Sequence, residues 1–88
     1  MRITKADLEK TVDRINRTTG NPLTPYTKDA SGKFTSNVGN YHLTGAYGGH
    51  GLEQMDNDGG GTRSIFGYMT KRELYDRMHA YLKGMSDK

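Results

Sequence analysis

The same helix-start pattern occurs near both ends of this chain, and it fixes where two helices begin. Thr4 stands three residues before Asp7, and Thr70 stands three residues before Glu73. This is the capping-box spacing, in which a hydroxyl and a carboxylate bond to backbone N–H groups at the start of a helix. The long stretch between the two starts is rich in glycine, which predicts turns and short strands there.

Apolar residues at helical spacing follow each capping box and indicate how far each helix extends. In the first helix Leu8, Val12 and Ile15 recur at intervals of four and three, which forms one apolar face. We therefore predict helices over residues 4–19 and 70–84. The inner face of the second helix carries Leu74, Met78, Tyr81, Leu82 and Met85.

The middle of the chain predicts a three-stranded antiparallel meander over residues 41–66. Residues 41–47 form the first strand, Gly48-Gly49 the first turn, residues 58–61 the second turn and residues 62–66 the last strand.

Two segments leave alternatives open. Residues 50–57 favour the second strand, although Leu52 and Met55 at a spacing of three also fit a short helix. Residues 23–40 are polar and turn-rich, and they fit either a short hairpin or a loop.

These elements predict an α+β fold: a single small domain over residues 1–88, arranged as helix–three-stranded antiparallel sheet–helix with both helices on one sheet face. We expect the covered face to carry Tyr41, Leu43 and Tyr47, and the opposite face to carry His42, Thr44 and Arg63.

Composition narrows the class of protein. The chain has 88 residues, no cysteine and a formal net charge of +3, a mild bias toward polyanions. Only 32% of the residues are apolar, so a homo-oligomer or a bound partner would add stability to a thin core. No apolar run has the length of a signal peptide or membrane span, so we expect a cytoplasmic protein without membrane contact.

No motif for catalysis or for a cofactor is recognisable. The glycines between residues 45 and 51 match neither phosphate-loop nor dinucleotide patterns, and residues 56–61 break the calcium-loop pattern. The serines lack a nucleophile context, and three histidines without cysteine are a poor metal set. We expect a non-enzymatic protein with no catalytic residues, metal or cofactor.

Lys71 and Arg72 open the second helix, where positive charge is unfavourable. A helix N-terminus carries a partial positive charge, so each cation there costs roughly 0.3–1 kcal/mol. Such a pair either extends into solvent, as an ordinary solvated helix face, or binds an anion together with backbone amides. Tyrosines nearby offer stacking planes for a base. The candidate residues for binding an anion or nucleic acid are Lys71, Arg72, Arg63, Tyr68, Arg14 and Arg17.

Several runs of this chain resemble a widespread type of small protein encoded by tailed phages and prophages. The resemblance covers nearly the whole chain and implies a phage origin and action inside a bacterial host, without implying an activity. The runs are Asp13-Arg14-Ile15-Asn16-Arg17-Thr18-Thr19-Gly20-Asn21-Pro22, Gly39-Asn40-Tyr41-His42-Leu43-Thr44-Gly45-Ala46-Tyr47-Gly48-Gly49, Gly59-Gly60-Gly61 and Thr70-Lys71-Arg72-Glu73-Leu74-Tyr75-Asp76-Arg77-Met78-His79-Ala80.

The predicted order of elements is also similar to that of double-stranded RNA-binding domains. In those domains cations at the start of the last helix contact phosphates while the first helix enters the minor groove. This chain departs from them by placing Glu73 and Asp76 close to the cations and by the long segment 23–40. The resemblance therefore implies contact with nucleic acid or another anion, without specifying duplex RNA.

The sequence thus predicts a small phage accessory protein that binds nucleic acid or a nucleotide-like anion at the start of its C-terminal helix. The alternative is a host-directed protein–protein interaction factor that counters bacterial defence, because tyrosine and methionine are favoured in interfaces. An oligomer that sequesters a nucleotide signal lies between the two.

Overall fold

Both helices begin at their capping boxes, which confirms the helix starts predicted from the sequence. At the first helix, Asp7 donates its N–H to Thr4 Oγ1 at 3.2 Å, and Thr4 donates its N–H to Asp7 Oδ2 at 2.8 Å. At the second, Glu73 donates to Thr70 Oγ1 at 3.1 Å, and Thr70 donates to Glu73 Oε1 at 3.3 Å. Gly20 ends the first helix in a left-handed conformation, with φ of 73°.

The structure, a computed structural model, describes residues 2–86. Its elements are α1 (Lys5–Thr19), β1 (Tyr26–Lys28), β2 (Phe34–Ser36), β3 (Tyr41–Ala46), β4 (Gly49–Met55), β5 (Thr62–Met69) and α2 (Lys71–Ser86).

The α+β architecture is confirmed, with both helices on one face of an antiparallel sheet in the order β3-β4-β5. The core lies between the helices and this sheet. The α1 side contributes Leu8 and Ile15, α2 contributes Leu74 and Met78, and β4 contributes Leu52, each with no exposed surface.

The two helices run in the same direction. The first half of α1, near Thr11, lies beside Tyr75 and His79, whereas its last turns, near Thr18, lie beside Leu82 and Lys83. Both helices therefore start at the same end of the sheet, the end at which β5 finishes and α2 follows it.

A buried asparagine joins α1 to the outer edge of the sheet. Asn16 has no exposed surface, accepts the Tyr41 N–H at Oδ1 (2.7 Å) and donates from Nδ2 to the Tyr41 carbonyl (2.9 Å). The side-chain amide thus pairs with β3 as a neighbouring strand would, and it satisfies two backbone groups that are buried from water.

The hairpin interpretation of residues 23–40 is correct. β1 and β2 pair antiparallel and form a separate two-stranded sheet. This hairpin lies against the β4–β5 turn, since a Cβ at Gly60 would come within 3.6 Å of Tyr26 Oη. Residues 50–57 do not form a helix, because β4 pairs with strands on both sides.

The last strand is longer than predicted and irregular. β5 continues to Met69, beyond the predicted end at residue 66, and its register with β4 shifts on both sides of Leu52. These bulges break the alternation of faces, so Ile65 and Phe66 are adjacent in sequence and both pack against the core.

Two predictions about the sheet faces are wrong. Arg63 does not lie opposite the helices: it pairs with Gln54, which pairs with Tyr41, so all three lie on the helix face. Tyr47 does not pack beneath the helices but is fully exposed in the first turn. That turn is formed by Tyr47 and Gly48, one residue earlier than predicted, because Ala46 and Gly49 are the last paired residues.

We predict that Asn16→Leu lowers the free energy of unfolding by about 2–6 kcal/mol. Leucine has a similar size but leaves the Tyr41 N–H and carbonyl buried without partners, at about 1–3 kcal/mol each. Urea unfolding measures the change. Thr18→Leu, at an exposed position of the same helix, is the control and should stay within about 0.5 kcal/mol of the parent. Equal effects of the two substitutions would show that the amide does not hold β3.

We also predict that stability falls as pH rises through the alkaline range because of Tyr41. Burial, followed by a hydrogen bond to Tyr81 (2.9 Å between the hydroxyl oxygens), raises the pKa of Tyr41 to about 12. A group whose pKa is raised by folding stabilises the folded state fully below its unfolded pKa, about 10, and loses that contribution as pH rises to about 12.

Urea unfolding between about pH 9 and 12 tests this, since Tyr41→Phe should flatten the decline. The exposed Tyr26→Phe is the matched control and should retain it. An unchanged decline in Tyr41→Phe would assign the pH dependence to other groups.

Candidate anion-binding surface

The starts of both helices and the β3–β4 turn lie at one end of the sheet. Lys5, the first residue of α1, lines a cavity with Gly45 and His50, which are next to this turn. His50 pairs with Met69, two residues before α2 begins. We define the helix-start surface as Lys5, Tyr47, Tyr68, Lys71 and Arg72.

Tyr47 and Tyr68 present aromatic rings at this end of the sheet, with Tyr68 on the sheet face away from the helices because its neighbour Met69 packs against the core. Tyr47 is 104% exposed and Tyr68 is 53% exposed. The turn lies against β5, because a Cβ on Gly49 would stand 2.8 Å from Tyr68 Cβ. Glycine at position 49 therefore permits the close approach that brings the two tyrosines to the same end of the sheet.

Tyr47 adopts an unfavourable backbone conformation. Its φ is 54°, and among the described residues other than glycine it alone has a positive φ. Tyr47 and Gly48 (φ 79°) form a two-residue hairpin loop in which both positions are left-handed, a geometry that favours asparagine followed by glycine. A bulky residue in this conformation costs roughly 1–2 kcal/mol, and an exposed side chain gains no burial in return.

Carboxylates partly offset the cations at the start of α2. Arg72 Nε lies 3.6 Å from Asp76 Oδ2, and both side chains are mostly exposed, so solvent weakens the pair. The Glu73 carboxylate accepts hydrogen bonds from the side chain and backbone of Thr70, which lower its pKa. The cap also occupies the Glu73 amide. An anion at this surface would therefore bind mainly through side chains.

The other predicted site residues lie elsewhere. Arg63 is near the start of β5, about six residues or roughly 20 Å along the strand from Met69, and it donates a hydrogen bond to Gln54 Oε1. Arg14 lies between the helices, and Arg17 is exposed in the last turn of α1. Only Lys71, Arg72 and Tyr68 of the six predicted residues share the helix-start surface.

Sequence reasoning missed Tyr47 and Lys5 as members of this surface. The Tyr47-Gly48 pair has glycine at the second position of a two-residue turn, as such turns require. Tyrosine is uncommon at the first, left-handed position, so the sequence does not indicate a turn there. Lys5 has the same place in its helix as Lys71, and only the parallel packing of the helices brings the two starts together.

His42 and Glu53 form a polar pair on the sheet face away from the helices. His42 Nε2 is 3.4 Å from Glu53 Oε1, and His42 Nδ1 is 3.2 Å from Asn40 Oδ1. Within residues 2–86, no three histidine or acidic side chains are placed to hold a metal ion. Neither helix in this part of the chain is long and apolar enough to cross a membrane.

Comparisons of this chain with protein-family models, curated proteins and solved structures find no match.

We predict that Tyr47→Asn raises the free energy of unfolding by about 0.5–1 kcal/mol. Asparagine tolerates the left-handed conformation better, and the exposed tyrosine ring contributes no burial. Urea unfolding measures the gain. Tyr26→Asn replaces another exposed tyrosine, in a strand without positive φ, and should bring no gain. A Tyr47→Asn variant no more stable than the parent would show that this turn is not strained.

Proposed function

We propose that this chain is a non-catalytic binding protein for single-stranded nucleic acid or a nucleotide-like anion, which it binds at the helix-start surface. The observation that carries the proposal is Tyr47, a fully exposed aromatic residue held in an unfavourable conformation at the end of the sheet where both helices start. Strained conformations concentrate at functional positions, where the strain is retained because the side chain is needed.

The chemistry of the surface suits an unpaired base with its phosphate. Exposed tyrosine rings stack on bases with little sequence preference, while cations beside them attract the backbone. Tyr47 and Tyr68 supply the rings, and Lys5, Lys71 and Arg72 supply the charge. Both helix N-termini add partial positive charge at the same end of the molecule.

The resemblance to double-stranded RNA-binding domains favours the same class of ligand. Apart from the inserted β1–β2 hairpin, the order of helix, three sheet strands and helix, with both helices on one face, is in keeping with the resemblance to double-stranded RNA-binding domains. Exposed tyrosines favour unpaired bases, because the bases of a duplex are already stacked. The phage resemblance suggests an accessory protein acting in the cytoplasm of a bacterial host.

A second candidate function is docking to a host protein through the β1–β2 region. Phe34 is 64% exposed, and three further apolar side chains in this region are about half exposed. These are Leu23, Tyr26 and Val38. Aromatic and apolar residues are favoured in the cores of interfaces, and this region lies at the other end of the sheet from the helix-start surface.

We predict that the charges and the rings of the helix-start surface affect binding of a single-stranded oligonucleotide in different ways. Lys71→Ala with Arg72→Ala should weaken binding and reduce the log–log salt slope by about 1.4, because each phosphate contact to a single strand contributes about 0.7. Tyr47→Ala should weaken binding about 5- to 100-fold at an unchanged slope, because stacking releases no counterions. Fluorescence anisotropy at several salt concentrations measures both effects.

Matched controls come from the β1–β2 hairpin. Lys28→Ala with Lys33→Ala removes the same charge from exposed positions, and Tyr26→Ala removes an exposed ring. Both controls should bind as the parent does. Unchanged oligonucleotide binding by the folded Lys71 and Arg72 double variant would overturn the proposal. If Phe34→Ser alone lost binding to a host protein, the second candidate function would be favoured.

A further inference from the structure

The two parallel helices leave a continuous groove between them. Two adjoining cavities of about 170 and 320 Å³ lie along it, and Arg14 and His79 line both. We define the interhelical groove by the residues that line these cavities. They are Asp7, Lys10, Thr11, Arg14 and Thr18 of α1 and Tyr75, His79, Leu82 and Lys83 of α2.

Charges on α1 are distributed unevenly between its two sides. Glu9 and Asp13 line a cavity on the β3 side together with Lys5, whereas Lys10 and Arg14 line the groove on the α2 side together with Asp7. Among residues 2–86, no carboxylate lines the larger cavity, whereas two cations do, Arg14 and Lys83.

The one carboxylate of the smaller cavity, Asp7, is engaged at the helix start. Its Oδ2 accepts hydrogen bonds from the Thr4 N–H and hydroxyl, and the backbone bond is the main cause of its lowered pKa. The part of the groove around Arg14 and Lys83 therefore carries positive charge that no lining carboxylate of the described residues offsets.

The imidazole of His79 is held in position from two sides. The Thr11 hydroxyl donates to the Asp7 carbonyl at 2.9 Å, so its oxygen is left to accept from His79 Nε2, 3.5 Å away. The Tyr75 ring lies 4.2 Å from the imidazole, centroid to centroid. This arrangement leaves Nδ1 as the ring nitrogen for a ligand, and protonation of the ring makes Nδ1 a donor.

We propose that the interhelical groove binds a phosphate group, held by Arg14 and Lys83 with His79 as an additional donor. A guanidinium group matches phosphate oxygens with two parallel hydrogen bonds, and an ammonium group adds a mobile point charge. A cavity of about 320 Å³ is within the range that holds small ligands, so the phosphate of a free nucleotide and that of a nucleic acid both fit the chemistry. The groove needs no residue of the helix-start surface.

The test uses inorganic phosphate as the probe and NMR titration of the full chain as the readout. Phosphate should shift the amide signals of Thr18, His79 and Lys83. Arg14→Gln with Lys83→Gln should weaken phosphate binding by about tenfold or more, because each removes a charged hydrogen-bond donor. Lys28→Gln with Lys33→Gln removes the same charge from the hairpin and should leave the affinity unchanged.

The outcomes separate this site from the helix-start surface. Lys71→Ala with Arg72→Ala should leave phosphate binding in the groove intact, even if oligonucleotide binding is lost. Equal phosphate affinity in the Arg14 and Lys83 double variant, or shifts confined to the helix-start surface, would overturn the proposal. The titration is then repeated with adenosine monophosphate and with an oligonucleotide. The one that binds the groove more tightly shows whether the phosphate comes from a free nucleotide or from a nucleic acid.

The role of His79 is tested in the same phosphate titration. His79→Ala should weaken phosphate binding less than the Arg14 and Lys83 double variant does, because His79 adds only one contact. Unchanged affinity in His79→Ala would exclude His79 from the site.

Discussion

The pairing of Asn16 with the backbone of Tyr41 is the contact on which the arrangement of the elements depends. It joins the C-terminal half of α1 to the outer edge of β3 through two buried hydrogen bonds, and neither group has water as an alternative partner. Hydrophobic burial of Leu8 and Ile15 drives α1 onto the sheet, but it is non-directional and leaves the position along the strand open. The directional amide bonds fix that position.

Fixing α1 in this way has consequences at both ends of the molecule. α2 follows β5 directly and packs beside α1 in the same direction. The starts of both helices therefore lie at the same end of the sheet as the β3–β4 turn. The same parallel packing brings Arg14 beside His79 in the interhelical groove. The parallel packing of the two helices thus creates both the helix-start surface and the groove. The two sites use different residues: the first combines aromatic rings with cations, and the second is a polar cavity.

The candidate site was only partly predictable, for reasons visible in particular residues. Lys71 and Arg72 were identified because a charge at a helix start has a local meaning that the sequence carries. The sequence predicts the wrong sheet face for Arg63, because strict alternation does not hold in a strand whose register the bulges shift. Tyr47 was assigned to the core because its turn was placed one residue too late, and that shift changes a buried position into an exposed one.

The sequence by itself determined the local features: both capping boxes, the apolar faces of the helices and the class of fold. The capping boxes and apolar faces depend on residues within about one turn of helix or a few positions of strand, and the class of fold follows from the order of these elements along the chain. Only the tertiary structure decided which residues share a surface. The buried role of Asn16, the bulges of β5 and the exposure of Tyr47 depend on partners distant in sequence, because register and face are set by packing between elements.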